Sequence, residues 1–263
     1  MKANTKIFGC IADPINHVKA PTLFTKMFQK QKINAIMIPI NVSKEDIELF
    51  FSGIRSIKNF VGITVTIPHK TSVLKYCDYL EKEAIDTQSV NWIKIENKKL
   101  IGTNFDGLGF VKGLKNKNLM VENKDFAIFG IGGAGISICY SLIRNKAKRL
   151  KLINRNFDKL NIFADKLKEL KSNTEILTDN FYEYDISEYD YVINATSLGL
   201  KENKNLVFDV KKTKIDCTII EIVMDPEETI LIKEAMKYKR NYHLGKHMLE
   251  SQVKLAGKFF NLW

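Results

Sequence analysis

The sequence predicts an α/β protein of two domains, and three observations predict it. Short apolar runs alternate with amphipathic segments, the pattern of βα units around a mostly parallel sheet. Near residue 125 an apolar strand, a glycine turn and a helix follow one another directly. The length, 263 residues, suffices for two modest domains sharing a cleft.

The elements follow in order. "KIFGCIA" reads as a first strand, and "TLFTKMFQKQ" places Leu23, Phe24, Met27 and Phe28 on one helical face. "NAIMIPINV" is a second strand. "SKEDIELFFSGIRSI" opens with Ser43 and carries Asp46 three residues on, an acidic first turn suited to a helix N-terminus. "GITVTIPHK" alternates as a strand and stops at Pro68, and "VNWIKIENKKLIGTN" reads as a hairpin turning at Glu96–Lys98. Beyond 125, "DFAIFGIGGAGISICYSLI" is strand, turn and helix, "RLKLINR" a strand, and "FDKLNIFADKLKEL" a helix. "YDYVINAT" and "CTIIEIVM" are further strands, and "KHMLESQVKLAGKFFNLW" is helical. The expected division is a dinucleotide-type domain at 106–239 and a first domain at 1–105, with 240–263 folding back onto it.

Composition excludes several classes of function. Apolar residues make up 45% of the chain, and no run approaches the roughly 18 apolar residues that span a bilayer. The N-terminus carries no signal-peptide pattern. Cys10, Cys77, Cys139 and Cys217 lie far apart without a Cys-x-x-Cys pair, which disfavours a metal or redox motif and fits reduced thiols in a cytoplasmic protein. The formal charge of +11 is almost all lysine, spread along the chain, with arginine only at 55, 144, 149, 155 and 240. Nucleic-acid sites want clustered charge, so no nucleic-acid partner is expected; the excess still draws anionic small molecules.

Gly130-Ile131-Gly132-Gly133-Ala134-Gly135 fits G-x-G-x-x-G between an apolar strand and a helix, the context that makes this pattern informative. Gly130 permits the tight turn, Gly132 admits a pyrophosphate to the backbone, and Gly135 lets helix and strand pack closely. The pyrophosphate would sit on the helix N-terminus. After the next strand stand Asn154-Arg155-Asn156 where an NAD site usually places a carboxylate. Arg155 would pair with a 2′-phosphate and Lys159 would add charge, so NADP is favoured. NAD stays an alternative, since Asp158 is placed to reach the ribose.

Lys70 follows the strand end of "TVTIPHK" at the expected start of a helix, where a cation meets the unfavourable end of the dipole and deprotonates more readily. It is a candidate acid–base group. Asp106, in "GTNFDG", is either a helix N-cap or the carboxylate partner of Lys70. Asn91, before Trp92, and Gln252, on the apolar side of the last helix, are polar groups that need partners, structural or bound.

Taken together, "FGCIADPINHVKAP", "VTIPHK", the "VN" at 90–91, "GTNFDG", "GIGGAG", "NRN", "INATSLGL", "DPEET" and "HMLESQ" resemble the shikimate/quinate dehydrogenase family over nearly the whole chain. The resemblance implies an N-terminal α/β substrate domain, a C-terminal NADP-binding Rossmann domain and a cleft between them. It assigns catalysis to Lys70 and Asp106, and ring-hydroxyl binding to Thr66, Asn91 and Gln252. It assigns the pyrophosphate loop to Gly130, Gly132, Gly133, Ala134 and Gly135, and the 2′-phosphate to Asn154, Arg155 and Asn156. Thr196 and Ser197 match a segment beside the cofactor, and Ile222 and Gly245 match positions near the nicotinamide. The implied reaction passes hydride between the nicotinamide and a carbon of a cyclic polyol or ketone. A monomer and a homodimer both fit.

The chain also departs from the family. Its loop normally reads His-Ser-x-Ser-Pro, the serines holding the substrate carboxylate; here it reads His17-Val18-Lys19-Ala20-Pro21. Two lost hydrogen bonds to a charged group, each about 1.5–3 kcal/mol, weaken ordinary shikimate binding by orders of magnitude. Thr64 replaces an Asn, Met224 a substrate-binding Tyr, Glu221 an Asp, and His247 a Gly. Three readings follow. One is dehydrogenation of shikimate, quinate or a related ring whose anion is held by His17, Lys19, His69 or His247. The second is the same chemistry on another ring, and the third is a non-catalytic ligand sensor.

Overall fold

The computed structural model describes residues 2–200 and 205–263, and the chain divides into two units, 1–105 with 252–263, and 106–251. The first unit is built from β1 (Lys6–Ala12), α1 (Ala20–Lys30), β2 (Ala35–Asn41), α2 (Ile47–Ile54) and β3 (Phe60–Val65). There follow β4 (Tyr79–Leu80), α3 (Lys82–Thr87), β5 (Trp92–Glu96) and β6 (Lys99–Thr103). The strands form one sheet in the order β2-β1-β3-β5-β6-β4. Parallel pairing of β1 with β2 and β3 gives way to the antiparallel hairpin β5–β6, so this sheet is mixed. The hairpin turns at Asn97 and Lys98, whose φ values of 50° and 63° are those of a tight two-residue turn.

Local sequence explains these elements. In α1 the expected face is the buried one, with Phe24 and Phe28 fully enclosed. Ahead of α2 the Ser43 hydroxyl accepts from the Asp46 N–H at 3.1 Å and donates to its carboxylate at 2.9 Å. The helix itself starts at Ile47. One core of the first unit gathers Phe8, Phe24, Phe28, Trp92 and Phe260 in edge and tilted ring contacts. Burying each such ring contributes about 1.5–3 kcal/mol. Gly62 on β3 leaves no room for a Cβ because Phe260 lies against it.

The second unit contains α4 (Asp106–Lys115), β7 (Asp125–Phe129), α5 (Gly133–Arg144), β8 (Arg149–Asn154), α6 (Phe157–Lys168) and β9 (Glu175–Asn180). After these come β10 (Tyr191–Asn194), β11 (Thr218–Glu221), α7 (Ile230–Lys237), β12 (Asn241–His243) and the first part of α8 (Lys246–Phe259), whose residues from 252 on belong to the first unit. Its sheet runs β12-β11-β10-β7-β8-β9 and every pairing is parallel. The chain winds outward from β7 through β8 to β9, then returns beside β7 and winds the other way. That reversal between β7 and β10 is the switch point where open α/β sheets bind ligands. Both faces are apolar. One packs under α5 and α6 through Ile138, Leu142, Leu160 and Phe163; the other gathers Phe129, Val192, Ile219, Leu231 and Ala235.

The unit boundary falls at 251/252, not at 239/240. Residues 240–251 belong to the second unit because β12 pairs with β11 and Met248 is part of the core that holds Phe110 and Leu114. At Gly113 a Cβ would lie 3.0 Å from the His247 carbonyl, which shows how closely α4 and the start of α8 pack. All four cysteines are free thiols, and burial pushes Cys10, Cys77 and Cys217 up to about 12. No helix among the described residues is long and apolar enough to cross a membrane.

Candidate active site

In the first unit the topology places the predicted substrate residues along one edge of the sheet. The loop after β1 and the turn after β3 lie together because those strands are parallel; β5 runs the other way, so its start comes to the same edge. Backbone bonds join these segments. Asp13 N–H donates to Ile67 O at 3.2 Å, Thr66 N–H to Ile11 O at 3.1 Å, and Val90 N–H to Lys70 O at 2.7 Å. Thr66 and Lys70 are half-buried there, while Asn91 is buried and accepts the Phe105 N–H at 2.9 Å through its side-chain oxygen. Thr64 donates its hydroxyl to the Asn91 carbonyl at 3.1 Å, so the hydroxyl braces the residue beside it. Gln252 is buried on α8, in the part of that helix that belongs to this unit.

Several expectations change. The segment after Lys70 is a short 3-10 turn, Ser72–Tyr76, and not an α-helix, so little dipole faces the lysine. His69 is withdrawn as an anion holder: it is fully buried, and its Nε2 bonds the Val42 carbonyl at 2.8 Å. It anchors the Lys70 turn to the chain after β2. In the altered loop, Val18 is half-buried and its N–H closes the 3-10 turn on Ile15. Ala20 is buried as the first residue of α1, and Lys19 is exposed beside it. His17 belongs to that turn, and its side chain lies outside the described part.

In the second unit, Asp106 opens α4 from a buried position, as a residue of the helix's first turn rather than a cap before it. The glycine turn lies at the carboxyl edge of β7, at the switch point. Gly130 takes φ +97°, and a Cβ there would stand 2.8 Å from Thr196 Cγ2. At Gly135 a Cβ would run into the Gly130 carbonyl, so no other residue lets helix and turn approach so closely. Gly132 differs: it is exposed, and a Cβ would meet nothing within 4 Å. The turn therefore keeps open backbone at Gly132. The N–H groups of Gly133, Ala134 and Gly135 begin a helix and have no i−4 carbonyl of their own. This is a surface that fits a pyrophosphate.

The end of β8 is built by its two asparagines. Asn154 accepts from Ile131 N–H at 3.5 Å and donates to Asn156 O at 3.0 Å, linking the two turns. Asn156 caps α6 by accepting the Lys159 N–H at 2.8 Å. Their side chains make the frame, and Arg155 between them is exposed with no ion-pair partner among the described residues. Lys159 is exposed one turn on.

The remaining edge holds a group that local sequence reading treats only as a replaced residue. Glu221 ends β11 beside Asn194, which ends β10. Asn194 Nδ2 donates to both carboxylate oxygens at 3.0 Å, Val223 N–H donates at 2.9 Å, and the Thr229 hydroxyl donates at 2.9 Å. Burial pushes the Glu221 carboxyl up to about 7, against the pull of these donors. The sequence signal is one charged residue inside the apolar run "CTIIEIVM". Ile222 and Met224 follow it, half-buried, and Gly245 has no room for a Cβ because the Ile222 and Val223 carbonyls lie 2.7 Å from that position. Thr196 is half-buried and Ser197 exposed on the loop after β10. His247 is half-buried, with Nδ1 3.4 Å from the Glu250 carboxylate.

Residues 10–93 match the shikimate dehydrogenase substrate binding domain. The chain is 31% identical over its whole length to the NADP(+) shikimate dehydrogenase of Methanococcus maripaludis strain C7, covering 92% of that protein. It superposes on a crystal structure of shikimate dehydrogenase in complex with NADP+ with a TM-score of 0.91 at 29% identity, covering 99% of this chain and 91% of that one. The shikimate dehydrogenase of Aquifex aeolicus gives a TM-score of 0.90 at 30% identity, with 99% and 94% covered. The chain belongs to the shikimate dehydrogenase family.

Proposed function

We propose that this protein is an NADP-dependent dehydrogenase that reduces the carbonyl of 3-dehydroshikimate, or of a closely related cyclic ketone, to the alcohol. The observation that carries the reading is the edge that holds Lys70. Its carbonyl is tied to Val90, its turn is anchored by His69, and Thr66 and Asn91 stand at the same edge. The relatives are named NADP(+) shikimate dehydrogenases, and the exposed guanidinium of Arg155 suits a 2′-phosphate.

The chemistry divides between chain and cofactor. Bound NADPH supplies the hydride. Lys70 gives a proton to the carbonyl oxygen as it becomes an alkoxide, and takes it back in the reverse direction. Asp106 is the carboxylate that the family pattern assigns to orienting the substrate hydroxyl. Thr66, Asn91 and Gln252 bind ring hydroxyls and so fix which carbon faces the hydride. The open backbone at Gly132 and the N–H groups behind it take the pyrophosphate.

A second reading rests on Val18 and Ala20. The loop after β1 offers hydrocarbon where two hydroxyls would grip a carboxylate, and Lys19 is the exposed cation there. The same chemistry on an uncharged ring is consistent with that loop. NADPH consumption with 3-dehydroshikimate, 3-dehydroquinate and a panel of uncharged cyclic ketones separates the readings. The expected result is turnover of 3-dehydroshikimate, with KM improved at least about tenfold by the double change Val18→Ser and Ala20→Ser. Turnover confined to uncharged ketones supports the second reading. Tight ligand binding without any turnover contradicts both and leaves a sensor.

A further inference from the structure

We propose that Glu221 is a positioning residue for the dinucleotide, its carboxylate holding in register the two segments that follow β10 and β11. The inference rests on the dehydrogenase reading above and goes beyond it, since that reading assigns Glu221 no role.

The geometry is that of a hub. Asn194 spends its Nδ2 on both Glu221 oxygens and on the Leu198 carbonyl at 2.9 Å. Its Oδ1 accepts the N–H and the hydroxyl of Thr196 at 2.9 and 2.7 Å. The Thr196 hydroxyl in turn accepts the Leu198 N–H at 3.0 Å. Thus the loop after β10 is folded around Asn194, and Asn194 is aimed by Glu221. On the other side, the Val223 N–H on the same carboxylate curls the chain after β11, and the Thr229 hydroxyl ties in the cap of α7. Each segment meets one of the special glycines. Thr196 is the atom group nearest a Cβ at Gly130, and Ile222 and Val223 stand over Gly245. One buried carboxylate, 1% exposed, therefore braces the walls next to the glycine turn.

The ionised form is the one that fits. All its bonded neighbours donate, so a carboxylate accepts from each, whereas a protonated acid must turn one oxygen into a donor with only the Thr229 hydroxyl able to accept. With the carboxyl pushed up to about 7 by burial, this changeover falls near neutral pH. Among the described residues, the titratable groups on the surrounding elements include Tyr191 on β10, His243 and Tyr242 on β12, Lys233, Glu234 and Lys237 on α7, and Asp225, Glu227 and Glu228 in the loop after β11. Burial holds His243 down at about 4, with His247 and Lys117 adding to the effect, so it stays neutral above that.

The sign differs between binding and stability. NADPH affinity tightens as pH rises through about 7, because the ionised carboxylate holds the frame. Folding stability moves the other way: a carboxyl whose pKa is raised in the folded state contributes stability that is lost as pH rises through that value. A group that only supports the fold shifts stability and leaves the pH dependence of NADPH affinity unchanged.

The test is the NADPH dissociation constant of the full-length protein and of Glu221→Gln, by calorimetry at about pH 8 and about pH 6. The variant is expected to bind about tenfold more weakly at the higher pH, as its amide N–H₂ confronts other donors. Its loss of affinity on going to the lower pH should be smaller than that of the unaltered protein; the comparison cancels the titration of the cofactor's own phosphate. If Glu221→Gln does not fold, Thr229→Val removes one donor and should weaken binding about threefold. Equal affinity at the higher pH, or equal pH slopes, overturns the inference. Absence of NADPH binding by the unaltered protein overturns the dehydrogenase reading and this inference with it, whereas normal binding by both proteins overturns this inference alone.

Discussion

Lys70→Ala is expected to lower kcat by at least about a hundredfold, with the NADPH dissociation constant unchanged within about twofold. The carbonyl oxygen gains a full negative charge as the hydride arrives, and an ammonium supplies both charge and proton at that moment. Alanine supplies neither, and water must serve as the acid. The loss belongs in kcat because the interaction strengthens toward the transition state. The backbone should survive the change. Val90 bonds the Lys70 carbonyl and His69 anchors the turn, and neither contact uses the lysine side chain. Lys70→Arg is a sharper control, since guanidinium keeps the charge but does not release its proton. Steady-state kinetics in both directions decides the matter. Activity of Lys70→Ala within about threefold of the unaltered protein removes the residue from the mechanism.

Arg155→Ala is expected to lower kcat/KM for NADPH by about ten- to a hundredfold while changing it for NADH by less than about threefold. Arg155 emerges just after β8, exposed, between two asparagines whose side chains hold the turn. Removing it leaves that frame standing. A bidentate, charge-assisted pair with a phosphate contributes about 1.5–3 kcal/mol, which sets the size of the effect. Lys159 remains as a residual cation, so the loss is bounded. NADH has no 2′-phosphate, and its ribose hydroxyl is within the chemistry of Asp158. Kinetics with the two cofactors side by side gives the answer. An equal loss with both would show that Arg155 supports the domain rather than the phosphate.

Much of this fold was legible because its signals are local. The strand, glycine turn and helix at 125–144 are contiguous, and each glycine has a reason visible in a few residues. The hairpin of β5 and β6 and the buried face of α1 were equally plain. What escaped was long-range or short. β12 has three residues, too few for any period, and β9 lies half-exposed at the sheet edge with no clean alternation. The division of α8 between the two units is not legible in the sequence, because the helix is continuous and its amphipathic pattern says nothing of which core each turn enters. His69 reads in sequence as one candidate to hold the substrate anion; only the fold reveals that the Val42 carbonyl, 27 residues away, bonds its ring nitrogen. Glu221 was legible as an odd residue in a strand, but its partners Asn194 and Thr229 lie 27 and 8 residues off. Their meeting depends on β10 and β11 pairing in parallel register.

Hydride transfer from NADPH to a ring carbonyl is the step on which the proposed function stands. The most direct measurement uses NADPH with deuterium in both positions at C4 of the nicotinamide, 3-dehydroshikimate as acceptor, and mass and NMR analysis of the product. The expected product is an alcohol one mass unit heavier, with the deuterium on the carbinol carbon and none acquired from solvent there. Product lacking that deuterium, or no product from this ketone or any in the panel, contradicts the proposed function.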